Sequence, residues 1–185
     1  PPVAEMRWRP PGTAPRWEGR RDASTYGPIC IQATPQGDPG VGPLPMSEDC
    51  LNLNVWRPLD TSAPAPVMVW IHGGGLVNGS GTAALYDGSH LARQGMVVVT
   101  LNYRLGRLGF FDHPALAAER PADEPAGNYG VMDVIAALKW VKANIAAFGG
   151  DPDNVTIFGE SAGGAMVTRL MISPPARDLF ARAVV

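Results

Sequence analysis

Residues 155–171 read VTIFGESAGGAMVTRLM. Three β-branched residues and a phenylalanine lead into Gly159-Glu160-Ser161-Ala162-Gly163, a G-x-S-x-G pattern, and a small-residue segment leads out. That order predicts a buried strand, a tight turn carrying Ser161 at its apex, and a helix over 162–172. A side chain at Gly159 or Gly163 would collide as strand and helix close around the turn. In a chain with 22 glycines the pattern alone is weak, so the strand and helix on either side carry the reading. A serine hydroxyl near neutral pH is a poor nucleophile and needs a base to take its proton, with a third group to orient the base. The chain has three histidines, His72, His90 and His113, and all precede Ser161.

Working outward, residues 130–148 place Val131, Val134, Ile135, Leu138, Val141, Ile145 and Phe148 at i, i+3, i+4, i+7 spacing, one apolar stripe on a helix that Gly149-Gly150 ends. Asp151-Pro152-Asp153-Asn154 reads as a turn before the VTIF strand. Further upstream, VMVWI at 67–71 and MVVVTL at 96–101 are continuous apolar runs that read as fully buried strands, with a short helix between them over 87–94. LNLNVW at 51–56 alternates like a half-exposed strand, and ARAVV at 181–185 like the start of another. Buried strands separated by crossovers predict an α/β fold with a mostly parallel central sheet. From Pro1 to about Pro45 the chain is rich in Pro, Gly and Trp without periodicity, as expected for extended chain in which Trp8, Trp17, Tyr26 and Ile29 pin the segment onto the sheet.

Composition narrows the classes. With 45% hydrophobic and 17% charged residues the chain is an ordinary globular sequence, and a net charge of −2 gives no reason to expect nucleic acid or an anionic membrane surface as a partner. Its longest apolar runs are far too short to span a bilayer. Cys30 and Cys50 lie in a Pro/Gly-rich stretch and are compatible either with a disulfide closing a surface loop or with two unrelated thiols.

A second chemical motif, His72-Gly73-Gly74-Gly75, follows VMVWI directly. Consecutive glycines expose backbone N–H groups that can face an oxygen as it becomes negative during acyl transfer. GGG alone suits any flexible turn; a strand ending in HGGG with a serine elbow downstream points to a hydrolase that needs both.

Together with PPVAEMRWRPP, WEGRRDASTYGPICIQ, SEDCLNLNVW, VVVTLNYRLGRLGFF, the long 127–164 segment and LFARAVV, these motifs resemble the type-B carboxylesterase/lipase family, cholinesterase-like members of the α/β-hydrolase fold. The resemblance implies Ser161 as nucleophile and the N–H groups of Gly74, Gly75 and Ala162 as the oxyanion hole. It also implies Glu160 as a buried electrostatic support and a Cys30–Cys50 disulfide, which favours a secreted or periplasmic setting. Three departures stand out: Asn52 where Tyr is usual, Leu76 where Phe is common, and Val134 where Gln is frequent.

The resemblance implies a serine carboxylic-ester hydrolase acting on a small-molecule ester through an acyl-enzyme, and implies no metal or organic cofactor. In this fold the acid and the histidine follow the nucleophile, yet after Ser161 the chain holds one acid, Asp178, and no histidine. His72 falls in the glycine loop with a structural role, His90 on a polar turn or short helix, and His113 in a loop before Pro114. Residues 1–185 are therefore expected to be the N-terminal portion of a single longer hydrolase domain, truncated at both ends and inactive alone, with acid and base beyond residue 185. The competing expectation is a catalytically silent adhesion or binding protein on the same fold.

Overall fold

The computed structural model describes residues 2–14, 17–33, 39–41, 45–60, 62–121 and 124–185, so part of the 1–45 segment lies outside the described residues. The strands are β1 (Ile29–Cys30), β2 (Met46–Ser47), β3 (Leu53–Trp56), β4 (Ala65–Ile71), β5 (Val97–Leu101), β6 (Gly150–Gly159) and β7 (Arg182–Val184). The helices are α1 (Ser89–Arg93), α2 (Gly106–Phe110), α3 (Pro114–Ala118), α4 (Tyr129–Asn144) and α5 (Ala162–Met171). The main sheet runs β3-β5-β4-β6-β7; β3 is antiparallel to β5, and every other pair is parallel. This is the expected α/β architecture, a mostly parallel sheet with flanking helices. β1 and β2 form a separate parallel pair that two-residue strands leave unreadable in sequence.

The core lies on one face of the sheet. Val67, Val69, Ile71, Val155 and Ile157 pack there with Val134, Leu138, Val141 and Ile145 from the α4 segment and Met166, Val167 and Leu170 of α5. The α4 stripe is the one the spacing predicts, although Val131 is only half buried. The α-helix itself stops at Asn144 and tightens into a 3₁₀ turn over Ile145–Phe148, which Gly149 ends in the left-handed region at φ 81°. Burying a leucine such as Leu138, with 0% exposure, contributes about 2–3 kcal/mol.

Four expectations change. β5 is buried throughout, but β4 is not: Met68 and Trp70 are half buried, because only one face of VMVWI meets the helices. A continuous apolar run does not reveal such sidedness. Residues 151–154 belong to β6, where they form an excursion between the pairs Ala65↔Gly150 and Val67↔Val155. Asp151 accepts the Asp153 N–H at 2.9 Å and Lys142 grips Asp153 at 2.6 Å, so the turn chemistry survives inside the strand. The strand expected over 51–56 starts at Leu53. In the N-terminal coat, Ile29 is buried and the Trp8 indole donates to the Arg107 carbonyl at 2.8 Å, but Trp17 and Tyr26 are exposed, and the Trp17 ring meets the Arg21 guanidinium at 5.0 Å. Helices α2 and α3 were not foreseen, since five residues are too few to show a helical period; His113 caps α3 by accepting the Ala115 N–H at 3.2 Å.

The disulfide is formed: Cys30 and Cys50 are joined with an S–S distance of 2.08 Å, both buried. Behind it, Arg104 and Asp133 make a buried ion pair. The guanidinium reaches the two carboxylate oxygens at 2.8 Å each, and the Arg104 N–H adds a third bond at 3.0 Å. Burial pushes the Asp133 carboxyl above its ordinary value, while the guanidinium pulls it back. Nothing in the sequence pattern paired these two residues.

Candidate functional site

Ser161 stands between the end of β6 and the start of α5, with φ 54° and ψ −121°. For a residue carrying a β-carbon this conformation is strained by about 1–3 kcal/mol, so the surroundings must impose it. They do so through close packing. A β-carbon on Gly159 would sit 2.6 Å from the Gly163 carbonyl carbon, and one on Gly163 would strike the Ile71 carbonyl oxygen. Both glycines are therefore required for the steric reason read from the sequence. Gly163 N–H donates to the Glu160 carbonyl at 2.8 Å and Ala165 N–H to the Ser161 carbonyl at 3.0 Å, starting the helix at the serine. Ser161 is exposed, and the Ala162 N–H is one of the helix-start donors that lack an intrahelical acceptor. The positive end of the α5 dipole adds a field that favours negative charge there.

The parallel register carries the glycine loop to the same place. β4 and β6 run side by side to Ile71↔Gly159, so the chains leaving them emerge together. A β-carbon on Gly73 would lie 3.3 Å from the Ser161 Cβ and 2.8 Å from the Glu160 carboxylate. Only glycine fits between the two turns. Gly74 and Gly75 follow at φ 101° and 62°, and the Gly74 carbonyl accepts N–H groups from Val77 and Asn78, both at 3.0 Å. Leu76, at φ 64°, is packed against the core.

His72 is enclosed. Its Nδ1 lies 2.8 Å from the Gly73 carbonyl, its ring stacks on Tyr103 at 4.4 Å and 14°, and the Tyr103 hydroxyl donates to the His72 carbonyl at 2.8 Å. Burial pushes the imidazole down to about 4, with the Gly73 carbonyl acting the other way, so the ring is neutral at ordinary pH. The Gly73 oxygen can only accept, which assigns the proton to Nδ1. Among the described residues no histidine hydrogen-bonds Ser161: His72 is turned to Gly73, His113 caps α3, and His90 lies on α1.

One implied feature differs. Within residues 1–185 Glu160 is exposed, not buried. It borders a cavity of about 370 Å³ on the half-covered face of the sheet, lined by Trp70, Tyr86, Val98 and Phe158 among others. Gln32 escaped the sequence reading altogether. Its amide clamps Gly79 from both sides, accepting the Gly79 N–H at 2.7 Å and donating to the Gly79 carbonyl at 3.0 Å. Gly79 in turn closes on the loop, where a β-carbon would come within 2.6 Å of the Gly73 oxygen. A glutamine two residues after a cysteine carries no sequence signal for such a contact.

Proteins named as esterases are similar to this sequence. The para-nitrobenzyl esterase of Bacillus subtilis (strain 168) is 50% identical over 186 residues, covering 100% of this chain and 37% of its own. The fumonisin B1 esterase of Sphingopyxis macrogoltabida is 48% identical over 187 residues, covering 100% and 34%. Carboxylesterase 3 of Homo sapiens is 48% identical, with 100% and 32% covered. Among solved structures, a PNB esterase superposes with a TM-score of 0.91 at 48% identity over 99% of this chain, and a thermophilic PNB esterase with 0.90 at 47% over 98%. The chain thus spans about a third of the length of these relatives. A model of the carboxylesterase family matches residues 1–185, and with full-length identity near one half to its members the chain belongs to the carboxylesterase family, on the α/β-hydrolase fold.

Proposed function

We propose that the protein carrying this chain is a serine carboxylic-ester hydrolase that works through an acyl-enzyme on Ser161. The observation that carries the reading is the meeting of the two turns: a strained, exposed serine at the start of α5, with Gly73 so near that a β-carbon added to it would stand 3.3 Å from the Ser161 β-carbon. The Ser161 hydroxyl oxygen attacks the ester carbonyl carbon as its proton passes to a base, and the N–H groups of Gly74, Gly75 and Ala162 receive the resulting oxyanion. Collapse expels the alcohol, protonated by that base; water then attacks the acyl carbon and releases the acid and the free serine. The residues that border Ser161 here supply nucleophile and oxyanion donors but no base. Acid and histidine are assigned to the protein beyond residue 185, in keeping with the threefold greater length of the relatives. Residues 1–185 are then part of one hydrolase domain.

The substrate class is small-molecule carboxylic esters; one relative is named for a para-nitrobenzyl ester. The non-catalytic alternative has no counterpart among the relatives described above. The test uses the full-length protein with p-nitrophenyl acetate and butyrate, and a fluorophosphonate to label the nucleophile. Turnover that vanishes in Ser161→Ala, with one phosphonate per chain on Ser161, supports the reading. Absence of turnover, or turnover unchanged in Ser161→Ala, sinks it.

A further inference from the structure

We propose that Tyr103 is a positioning residue for the oxyanion donors and acts through His72, an inference that rests on the ester-hydrolase reading above. A trans peptide is planar, so its C=O and the next residue's N–H point in opposite directions and move as one unit. Whatever holds a carbonyl in the glycine loop therefore aims the following N–H. The Gly74 N–H shares its peptide with the Gly73 carbonyl, which the His72 Nδ1–H holds at 2.8 Å. The Gly75 N–H shares its peptide with the Gly74 carbonyl, which Val77 and Asn78 hold from within the loop. The second donor is thus aimed by its own turn, whereas the first depends on the imidazole.

Tyr103 sets the imidazole. It leaves β5 at the same edge of the sheet at which His72 leaves β4, since Trp70 pairs with Thr100 in the parallel register. Its ring lies against the His72 ring at 4.4 Å and only 14° from parallel, and its hydroxyl fixes the His72 carbonyl at 2.8 Å. One side chain therefore holds both the backbone and the ring of His72. Tyr103 is 0% exposed, and Arg104 next to it is locked to Asp133, so the brace itself has nowhere to go. From the other side Gly79 closes on the imidazole, where an added β-carbon would stand 2.5 Å from Nδ1. A flexible glycine loop acquires in this way the preorganised donor geometry on which oxyanion stabilisation depends.

The experiment is run on the full-length protein, with active sites counted by fluorophosphonate titration. Tyr103→Phe keeps the ring and removes one oxygen. Because misplacement by a fraction of an ångström at a reacting centre costs about ten-fold, kcat per titrated site is expected to fall about ten-fold. The Ki of a trifluoromethyl ketone, which forms a tetrahedral adduct on the serine, is expected to rise by the same factor. The Ki of a non-reactive amide analogue of the substrate should stay within about two-fold, since ground-state binding does not use the donors. His72→Asn places an amide N–H where Nδ1 stands and should retain most of the rate; His72→Leu, of similar shape without a donor, should lose about 100-fold, the lower end of what losing one oxyanion donor costs. Native kcat per site and native trifluoromethyl ketone affinity in Tyr103→Phe overturn the proposal, as does a loss confined to the number of titratable sites. Failure of the wild-type protein to hydrolyse esters is a different result and overturns the function itself.

Discussion

Two turns leave neighbouring parallel strands at the same edge of this sheet, and they are held by opposite means. The exit from β6 is set by contact: Gly159 and Gly163 bring backbone against backbone, and Ser161 between them stands at a strained φ of 54°. The exit from β4 is slack by composition, and hydrogen bonds hold it: Tyr103 on the His72 carbonyl and Gln32 on Gly79 from distant segments, and His72 on the adjacent Gly73. A nucleophile can be placed by sterics alone, since one atom has to stand at one point. Donors for a transient oxyanion must be aimed, and aim comes from hydrogen bonds.

The comparison can be broken hardest at the steric turn. Gly163→Ala puts a methyl group onto the Ile71 carbonyl, backbone that cannot yield, and should cost roughly 4 kcal/mol or more and abolish phosphonate labelling of Ser161. Gly12→Ala, with nothing within 4 Å of the added carbon, is the control and should melt like the parent. Next comes the brace behind Tyr103. Asp133→Ala strands the buried Arg104 guanidinium, and urea unfolding should show a loss of about 3–4 kcal/mol.

The third effect is a pH dependence. The folded His72 pKa lies near 4 against 6.5 for the free side chain, so between those values only the unfolded chain takes up the proton. Stability attached to His72 is present in full above pH 6.5, declines as pH falls, and is lost by about pH 4. Burial of this one ring makes that loss about 3 kcal/mol. Urea midpoints measured across the window should show the decline, and His72→Asn should flatten it; an equal slope in both proteins would place the titration elsewhere. The smallest effect is Gln32→Ala, which frees Gly79 at a cost of about 1–2 kcal/mol and should slow ester turnover a few-fold without changing the titrated site count. A rate loss as large as that expected of Tyr103→Phe would mean that the clamp, not the tyrosine, governs the loop.

How much was legible follows from range. The elbow around Ser161, the helix expected over 130–148 and the strands were readable because glycine contacts, helical period and apolar runs are local properties, although the α-helix itself runs only over Tyr129–Asn144. The pairing of Cys30 with Cys50 came from the family resemblance, not from the residues alone. Trp17 was misjudged because an aromatic in an aperiodic segment carries no sign of what it meets, and it stands 58% exposed. Met68 and Trp70 were misjudged because an apolar run does not record which strand face a helix covers.

Sequence alone therefore determined the tight turn at the serine, the glycines it requires, the parallel α/β core and the resemblance to the family, all properties written within a few residues or along one motif series. Tertiary structure decided the antiparallel edge at β3, the exposure of Glu160, the Arg104–Asp133 pair and the bracing of the glycine loop. Tyr103 lies 31 residues from His72, and Gln32 lies 47 from Gly79. Which of four tyrosines or three glutamines meets a given carbonyl depends on strand order and register, and these exist only once the sheet has formed.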